Sequence, residues 1–384
     1  MKRKSNQSVC FSVLGEKNTY WYTFEVSKEG EDGGRIIVPC RCDCGCPCAK
    51  RFRHDTTPQA PPFLSPTKVL PQKDREDPGW TVVGNQLYRL GGKIIEKSYK
   101  RTRTVRALDL TRNTTTEKSN DSGGEWQRKP RMLAPRSDPH IVVVGGKLYV
   151  LGKKIADDEE QPWGEVYDPA TNTWEAMPRP PKILKHKFFW GGLEDDNEDD
   201  NDGKKGSIII LSVLDKILQE YNVATKSWNV SKLQKGFGGR IGDGNPGGPA
   251  VAVGRMLYWF CPYSCRLYGL HLDSHMLYKS ELVVDVPEYE PGGEPMLGHL
   301  GGHKFFLLHP NYDDCYVVDD RDDYLSDSDY DDDDEMPKTT LIHCLKFSVG
   351  LVVGRKRMNI SVESSQSFVI NNGPDLMFNG CVVM

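Results

Sequence analysis

A tyrosine followed seven positions later by a tryptophan occurs twice in similar surroundings, and this recurrence most limits what the chain can fold into. Residues 165–174 read EVYDPATNTW, and residues 220–228 read EYNVATKSW, a shortened repeat of the same pattern. The first copy closes a unit spanning residues 141–178. In it an apolar run, Ile141-Val142-Val143-Val144, meets Gly145-Gly146, and a second run, Leu148-Tyr149-Val150-Leu151, follows at once. Two β-rich runs joined by a diglycine predict a hairpin. Asp168-Pro169 begins a turn, since Asp accepts local hydrogen bonds and Pro presets φ. The unit therefore predicts four antiparallel strands in about 40 residues, a size and content that suit one blade of a propeller.

Further units of this kind are legible along the chain. One runs from about Trp80 to Met132, with a Gly84-Asn85 turn, Gly91-Gly92 after its second strand, and Trp126 marking its fourth. Trp126, Trp174 and Trp228 are 48 and 54 residues apart. A third unit has Gly191-Gly192 and an acidic insert at 194–202. A fourth pairs residues 250–253 with 256–260, and Tyr278 stands about where a tryptophan is expected. A fifth pairs residues 296–300 with 304–308 across Gly301-Gly302, is interrupted at 313–335, and resumes at 340–348. Residues 367–370 and 376–383, around Asn371-Asn372-Gly373-Pro374, read as a terminal hairpin. Residues 9–26 read as two more strands, rich in Val, Tyr, Trp and Phe. The expected fold is all-β, a propeller of about six four-stranded blades. Strands from both ends of the chain would share one blade and leave no open edge.

These features resemble the kelch repeat. The resemblance covers roughly residues 80–348 and rests on the diglycines and on the Tyr167/Trp174 and Tyr221/Trp228 spacings. The overall style is similar to that of plant F-box/kelch proteins, although no segment reads as the helical F-box. The resemblance implies a propeller whose loops bind a partner protein, with substrate selection for ubiquitin ligation as one such role. The three tryptophans are expected to pack between blades, as large amphipathic rings usually do.

The expected domain organisation follows. Residues 1–26 supply terminal strands to the closing blade. Residues 27–79 form a Cys- and Pro-rich insertion or linker, because Pro58, Pro61, Pro62, Pro66, Pro71 and Pro78 leave little room for regular strands. Residues 80–384 form the propeller, with acidic inserts at 194–202 and 313–335. The second insert holds 13 acidic residues and one basic one, net −12, against −4 for the whole chain, so the remainder carries +8. A hydrophobic content of 38% reflects such polar inserts. So small an overall charge does not point to nucleic acid. With no apolar signal region after Met1-Lys2-Arg3-Lys4 and no apolar run of membrane-spanning length, a cytoplasmic or nuclear monomer that engages no membrane is expected.

Candidate chemistry is sparse. No nucleophile elbow, HExxH or phosphate loop is present, and the histidines are scattered, with His299 and His303, which flank the Gly301-Gly302 turn, the best pair to inspect. Cys40, Cys42, Cys44, Cys46 and Cys48 alternate, so an extended strand would project all five thiols to one side. Such thiolates could hold a soft ion such as Zn(II) or Cu(I). The single-residue spacing differs from the usual zinc spacing, and a reduced, solvated insert is the plainer reading. Ser326 and Ser328 each precede an Asp by three positions, a pattern that suits an acid-directed kinase. Lys97, Lys100, Arg101, Arg103, Arg106 and Arg112 form a basic stretch with little aromatic interleaving, which reads as a solvated loop. The expected function is a non-catalytic protein-interaction module with no cofactor and no nucleic-acid partner. The rival reading is a metal-dependent or channel-centred enzyme on the same scaffold.

Overall fold

The computed structural model describes residues 8–14, 18–26, 64–66, 68–71, 75–76, 78–94, 100–110, 126–151, 161–184, 188–194, 206–234, 248–262, 264–280, 295–311, 339–352, 356–371 and 377–383. Among them the regular structure is entirely β. The chain opens with β1 (Ser8–Leu14), β2 (Asn18–Glu25), β3 (Lys68–Pro71) and the short β4 (Arg75–Glu76). Next come β5 (Gly79–Val83), β6 (Gln86–Leu90), β7 (Lys93–Ile94), β8 (Lys100–Arg101), β9 (Val105–Asp109) and β10 (Gln127–Lys129). The unit read most clearly from sequence is β11 (His140–Val144), β12 (Lys147–Leu151), β13 (Gly164–Asp168) and β14 (Thr173–Met177). After it run β15 (Phe189–Glu194), β16 (Gly206–Ser212), β17 (Ile217–Asn222), β18 (Ser227–Lys232) and β19 (Gly248–Pro249). The remainder is β20 (Val251–Val253), β21 (Met256–Cys261), β22 (Arg266–His271), β23 (Leu277–Ser280), β24 (Met296–His299), β25 (Lys304–Asn311), β26 (Thr339–Leu351), β27 (Arg357–Asn371) and β28 (Met377–Val383).

The sheets are not uniform. Three have four strands, ordered β28-β1-β2-β3, β10-β9-β6-β5 and β11-β12-β13-β14. A fourth has five, because β19 adds alongside β15 in parallel. An eight-stranded sheet consists of two antiparallel runs, β20–β23 and β24–β27, joined only where β23 meets β27 in parallel at Lys279/Arg357 and Ser280/Met358. The small sheet β4-β7-β8 takes β7 and β8 from the connection between β6 and β9, and β4 from the segment before β5.

Two sequence expectations are corrected here. Residues 367–370 and 376–383 do not form a hairpin: β27 pairs with β26, whereas β28 pairs with β1, from Val9/Val383 to Leu14/Met377. The turn-forming residues between them carry the chain into another sheet. The second correction concerns the end of the proline-rich segment, where β3 pairs with β2 from Asn18/Pro71 to Trp21/Lys68. Pro71 ends β3, the outer strand of its sheet, a position where proline is tolerated.

Strand composition explains the packing. In β16, Gly206-Ser207-Ile208-Ile209-Ile210-Leu211-Ser212 is buried throughout, as a near-continuous apolar run requires. Alternate side chains serve opposite faces. Ile208 and Ile210 pack with Val142, Val144, Tyr149 and Leu151 of the preceding sheet, and Ile209 and Leu211 with Leu257, Trp259 and Leu270 of the following one. In β21 the same rule sends Leu257, Trp259 and Cys261 back to that layer, and Met256, Tyr258 and Phe260 forward to Phe305, Leu307 and Phe347. On the far side of β25, Phe306 and Leu308 pack with Val9, Phe11 and Val13 of β1. From there Cys10 and Trp21 reach Trp80, Leu87 and Leu108, while Tyr88, Leu90 and Ala107 reach Leu148, Val150 and Tyr167. Each apolar layer thus lies between successive sheets, and the last layer returns to the first.

The tryptophans take the expected places. Trp126, Trp174 and Trp228 are half-buried, each against the layer shared with the preceding sheet. Trp174 Nε1 donates to Pro130 O at 2.9 Å, and Trp228 Nε1 to Pro178 O at 2.8 Å. Pro130 and Pro178 each follow the outer strand of the preceding sheet, so the two indoles clasp equivalent points. The fourth unit differs from expectation. Leu270 faces Leu277 where Tyr167 faces Trp174, so the tryptophan position is filled by Leu277, and Tyr278 points into the opposite layer. Gly191 and Gly192 lie within β15. A Cβ on Gly192 would meet Val144 Cγ2 at 2.7 Å and Val143 O at 2.9 Å, so its absence lets two sheets approach closely.

Candidate functional site

Strand direction decides what the two ends of each sheet present. In an antiparallel quartet the 1–2 and 3–4 connections leave from one end. The 2–3 connection and the passage to the next sheet leave from the other. Neighbouring sheets are aligned in the same sense. His140, at the start of β11, stacks on Trp190 near the start of β15, with centroids 3.9 Å apart. Gly145, just beyond β11, donates its N–H to Glu194 Oε1 at the end of β15, at 3.1 Å. The connections therefore gather at two shared ends.

The end bearing the 2–3 connections is built on a buried clamp. Glu165, the second residue of β13, is wholly buried and accepts from the Leu133 and Ala134 backbone N–H groups. Its Oε1 lies 2.9 Å from Arg136 Nε, and the Arg136 side chain is 3% exposed. The guanidinium also donates to Trp163 O at 3.2 Å and Pro162 O at 2.9 Å. Arg136 O accepts from Gly92 N at 2.9 Å, and a Cβ on Gly91 would stand 2.4 Å from that oxygen. This explains Gly91, whose φ is +67°. In the next unit Gln219 does the equivalent task without charge: its amide accepts from Lys182 N at 3.1 Å and donates to Lys182 O at 2.9 Å. Sequence alignment of the two repeats by their glutamates pairs Glu165 with Glu220. The structure pairs it with Gln219, two residues before the tyrosine in each case. A buried Arg–Glu pair satisfied on every side is costly to assemble and costly to break. Its effect here is to fix the two passages, 130–139 and 178–184, in one conformation, with Leu133 and Ile183 facing solvent.

The opposite end is laced with ion pairs. Lys147 Nζ is 2.9 Å from Asp168 Oδ2. Arg255 bonds Glu220 at 2.9 Å and Asp273 at 2.7 Å, joining two sheets. Lys226 pairs with Glu175 across the sheet boundary. Hydrogen bonding from Lys147, aided by the Ala170 N–H, holds the Asp168 carboxyl below its ordinary range, and Arg255 does the same for Asp273. The Arg255 guanidinium is correspondingly more basic, chiefly through its bond to Glu220.

Cys40, Cys42, Cys44, Cys46 and Cys48 lie outside the described residues, as do both acidic inserts apart from Glu194, together with Lys97 and Arg112. Of the basic stretch, Lys100, Arg101 and Arg103 are exposed at the 2–3 end, and Arg106 is half-buried in β9. His299 and His303 do not converge on a site: His299 Nε2 lies 3.0 Å from Gly302 O, and His303 is exposed. Among the described residues no group of three or more His, Cys, Asp or Glu could hold a metal, and no helix is long and apolar enough to cross a membrane. Sequence reasoning missed Arg136, Glu165 and Gln219. The one signal in the sequence was a polar residue two positions before the tyrosine in each copy, Glu165 before Tyr167 and Gln219 before Tyr221.

The Kelch motif family matches residues 135–181, the span that contains the clamp, Tyr167 and Trp174. The chain thus contains a kelch motif in this span. Its relatives include F-box/kelch-repeat proteins of Arabidopsis thaliana. One is 37% identical over 179 residues, 46% of this chain and 39% of that protein. A second is 35% identical over 98 residues, 26% of this chain and 21% of that protein. A third is 35% identical over 105 residues, 26% and 25% of the two chains. The matched region thus spans well under half the length of each relative. A solved structure of YjhT aligns with a TM-score of 0.38 and 13% identity over 64% of this chain and 74% of that one, too loose a likeness to carry an argument.

Proposed function

We propose that the chain is a non-catalytic protein-interaction module: a six-bladed kelch propeller, closed by the pairing of its first and last strands, that recognises a partner protein through loops at one end. The observation that carries the reading is the cycle of apolar layers, in which each sheet packs on the next and β25 and β26 pack back on β1. Dividing the eight-stranded sheet at its one parallel junction gives six sheets built on four antiparallel strands each, one of them extended by the parallel β19. On this reading residues 1–26 belong to the closing blade, 27–79 hold an insertion ending in that blade's outer strand, and 80–384 supply the rest. Connections bear the variation in length and charge while the sheets hold them in place, the usual division of labour between a scaffold and its recognition loops.

Substrate recognition for ubiquitin ligation, in the cytoplasm or nucleus, is the specific role proposed, on the similarity to F-box/kelch-repeat proteins. Affinity capture of the tagged full chain from plant extract at physiological salt tests it. A protein retained in stoichiometric amount through washing is the expected result. Repeated capture without any retained protein, or a purified chain that turns over a small substrate, would overturn the reading.

A further inference from the structure

We infer that the end bearing the 2–3 connections of the second, third and fourth sheets, counted from β28-β1-β2-β3, docks an acidic protein segment that also carries apolar side chains. The inference rests on the interaction-module reading and names the partner's chemistry and the surface that takes it.

Two independent features coincide there. The first is apolar exposure. Five large hydrophobic side chains are exposed among the described residues, and three of them, Leu133 at 40%, Ile183 at 56% and Leu214 at 46%, belong to this end. Leu133 and Ile183 sit in the two passages fixed by Glu165 and Gln219, and Leu214 in the turn between β16 and β17. Single exposed apolar residues are ordinary, but their gathering on one face of a scaffold marks an interaction surface.

The second feature is charge. Lys100, Arg101, Arg103, Arg131, Arg179 and Lys182 are exposed on the same passages and connections. The described carboxylates at this end are Glu165, buried against Arg136; Asp215, bonded to Ser212; the exposed Asp138; and Glu76 of β4, in register with Lys93 of β7. The opposite end has its cations matched, through Lys147–Asp168, Arg255–Glu220–Asp273 and Lys226–Glu175. The cationic excess among the described residues, set around apolar contacts, steers and holds an acidic, partly apolar chain. The connection 152–160 carries both signs, Lys153 and Lys154 with Asp157, Asp158, Glu159 and Glu160, and lies outside the described residues.

The test selects peptides from a random displayed library on the full-length chain, then measures the best by fluorescence anisotropy. Expected peptides combine Asp or Glu with Leu, Ile or Phe. Their affinity should fall about tenfold or more in R131Q/R179Q/K182Q, a loss of about 1.4 kcal/mol per decade. It should fall comparably in I183S/L214S, weaken with added salt, and stay within about twofold in the opposite-end control K147Q/K226Q. Selected peptides without acidic residues, or binding lost only in the control, would sink this inference and leave the module reading standing. A library and an affinity capture that both retain nothing would sink the module reading itself. Zero-length crosslinks joining carboxylates of residues 313–335 to Lys182 in most free molecules would also overturn the external partner, assigning the surface to the chain's own acidic segment.

Discussion

Arg136 and Glu165 form an ion pair at 2.9 Å with both side chains buried, linking the passage that enters a kelch unit to that unit's third strand. Removing one partner leaves a charge in the interior. Glu165→Ala is therefore expected to destabilise the protein by about 3–5 kcal/mol. Arg136→Met/Glu165→Leu should lose much less, because no orphaned charge remains. Urea denaturation followed by tryptophan fluorescence reads both. A double variant less stable than Glu165→Ala would show that the pair contributes more than mutual neutralisation.

Trp174 and Trp228 each donate an indole N–H across a sheet boundary. Replacing either by Phe keeps most of the ring packing and removes the donor, leaving Pro130 O or Pro178 O without it. Each change should cost about 1 kcal/mol. Similar values at the two sites are expected, because the geometry repeats. A neutral Trp228→Phe beside a costly Trp174→Phe would mean that the half-exposed clasp is satisfied as well by water.

Gly192 faces Val142 and Val144 across the boundary between β11 and β15, with 2.7–2.8 Å to a hypothetical Cβ. Gly192→Ala should cost about 1–3 kcal/mol through forced separation of the two sheets. Gly84→Ala is a useful contrast, because no atom crowds that position and only its φ of +56° resists the change. Urea midpoints of the two variants check this; equal losses would put the Gly192 effect down to backbone rather than packing.

Burial raises the hydroxyl pKa of Tyr149, Tyr88, Tyr221 and Tyr258, pushes Tyr167 up to about 12, and pushes the Cys344 thiol up to about 12. For each group the folded state keeps a proton that the unfolded state releases near its ordinary value. Stability from these groups is thus full below about pH 9 for the thiol and about 10 for the phenols, and declines as pH rises further. At the acid end the signs reverse: the lowered Asp168 and Asp273 contribute above the ordinary carboxylate range, and that contribution fades as pH falls through their folded values. Urea midpoints from pH 8 to 11 should slope downward, and Tyr149→Phe should flatten the slope. An unchanged slope in that variant would argue against its buried hydroxyl as a source.

Much of the fold was legible because the strands announce themselves locally. The runs 141–144 and 148–151, joined by Gly145-Gly146, became β11 and β12 with Val144 opposite Lys147. What a strand pairs with is less local. Asn371-Asn372-Gly373-Pro374 has the chemistry of a chain reversal, and such chemistry is the same whether the next strand returns to its sheet or enters a neighbour. The offset between Tyr278 and Leu277 has a similar origin: both are large and apolar, and only the register of β22 with β23 tells which face each one takes. The clamp was hidden because its parts are 29 residues apart and one of them, Arg136, resembles any surface arginine until its burial is known.

The pairing of Val9 with Val383 joins residues 374 positions apart. While a ribosome is still making the chain, β1 has β2 for company but must wait until residues 377–383 are made before its other neighbour exists. Val9, Phe11 and Val13 likewise wait for Phe306 and Leu308. Until then a nascent strand with a bare edge and an uncovered oily face persists, the kind of species that aggregates or needs a chaperone. A strand made early thus stays unprotected until residues 377–383 have emerged to pair with it.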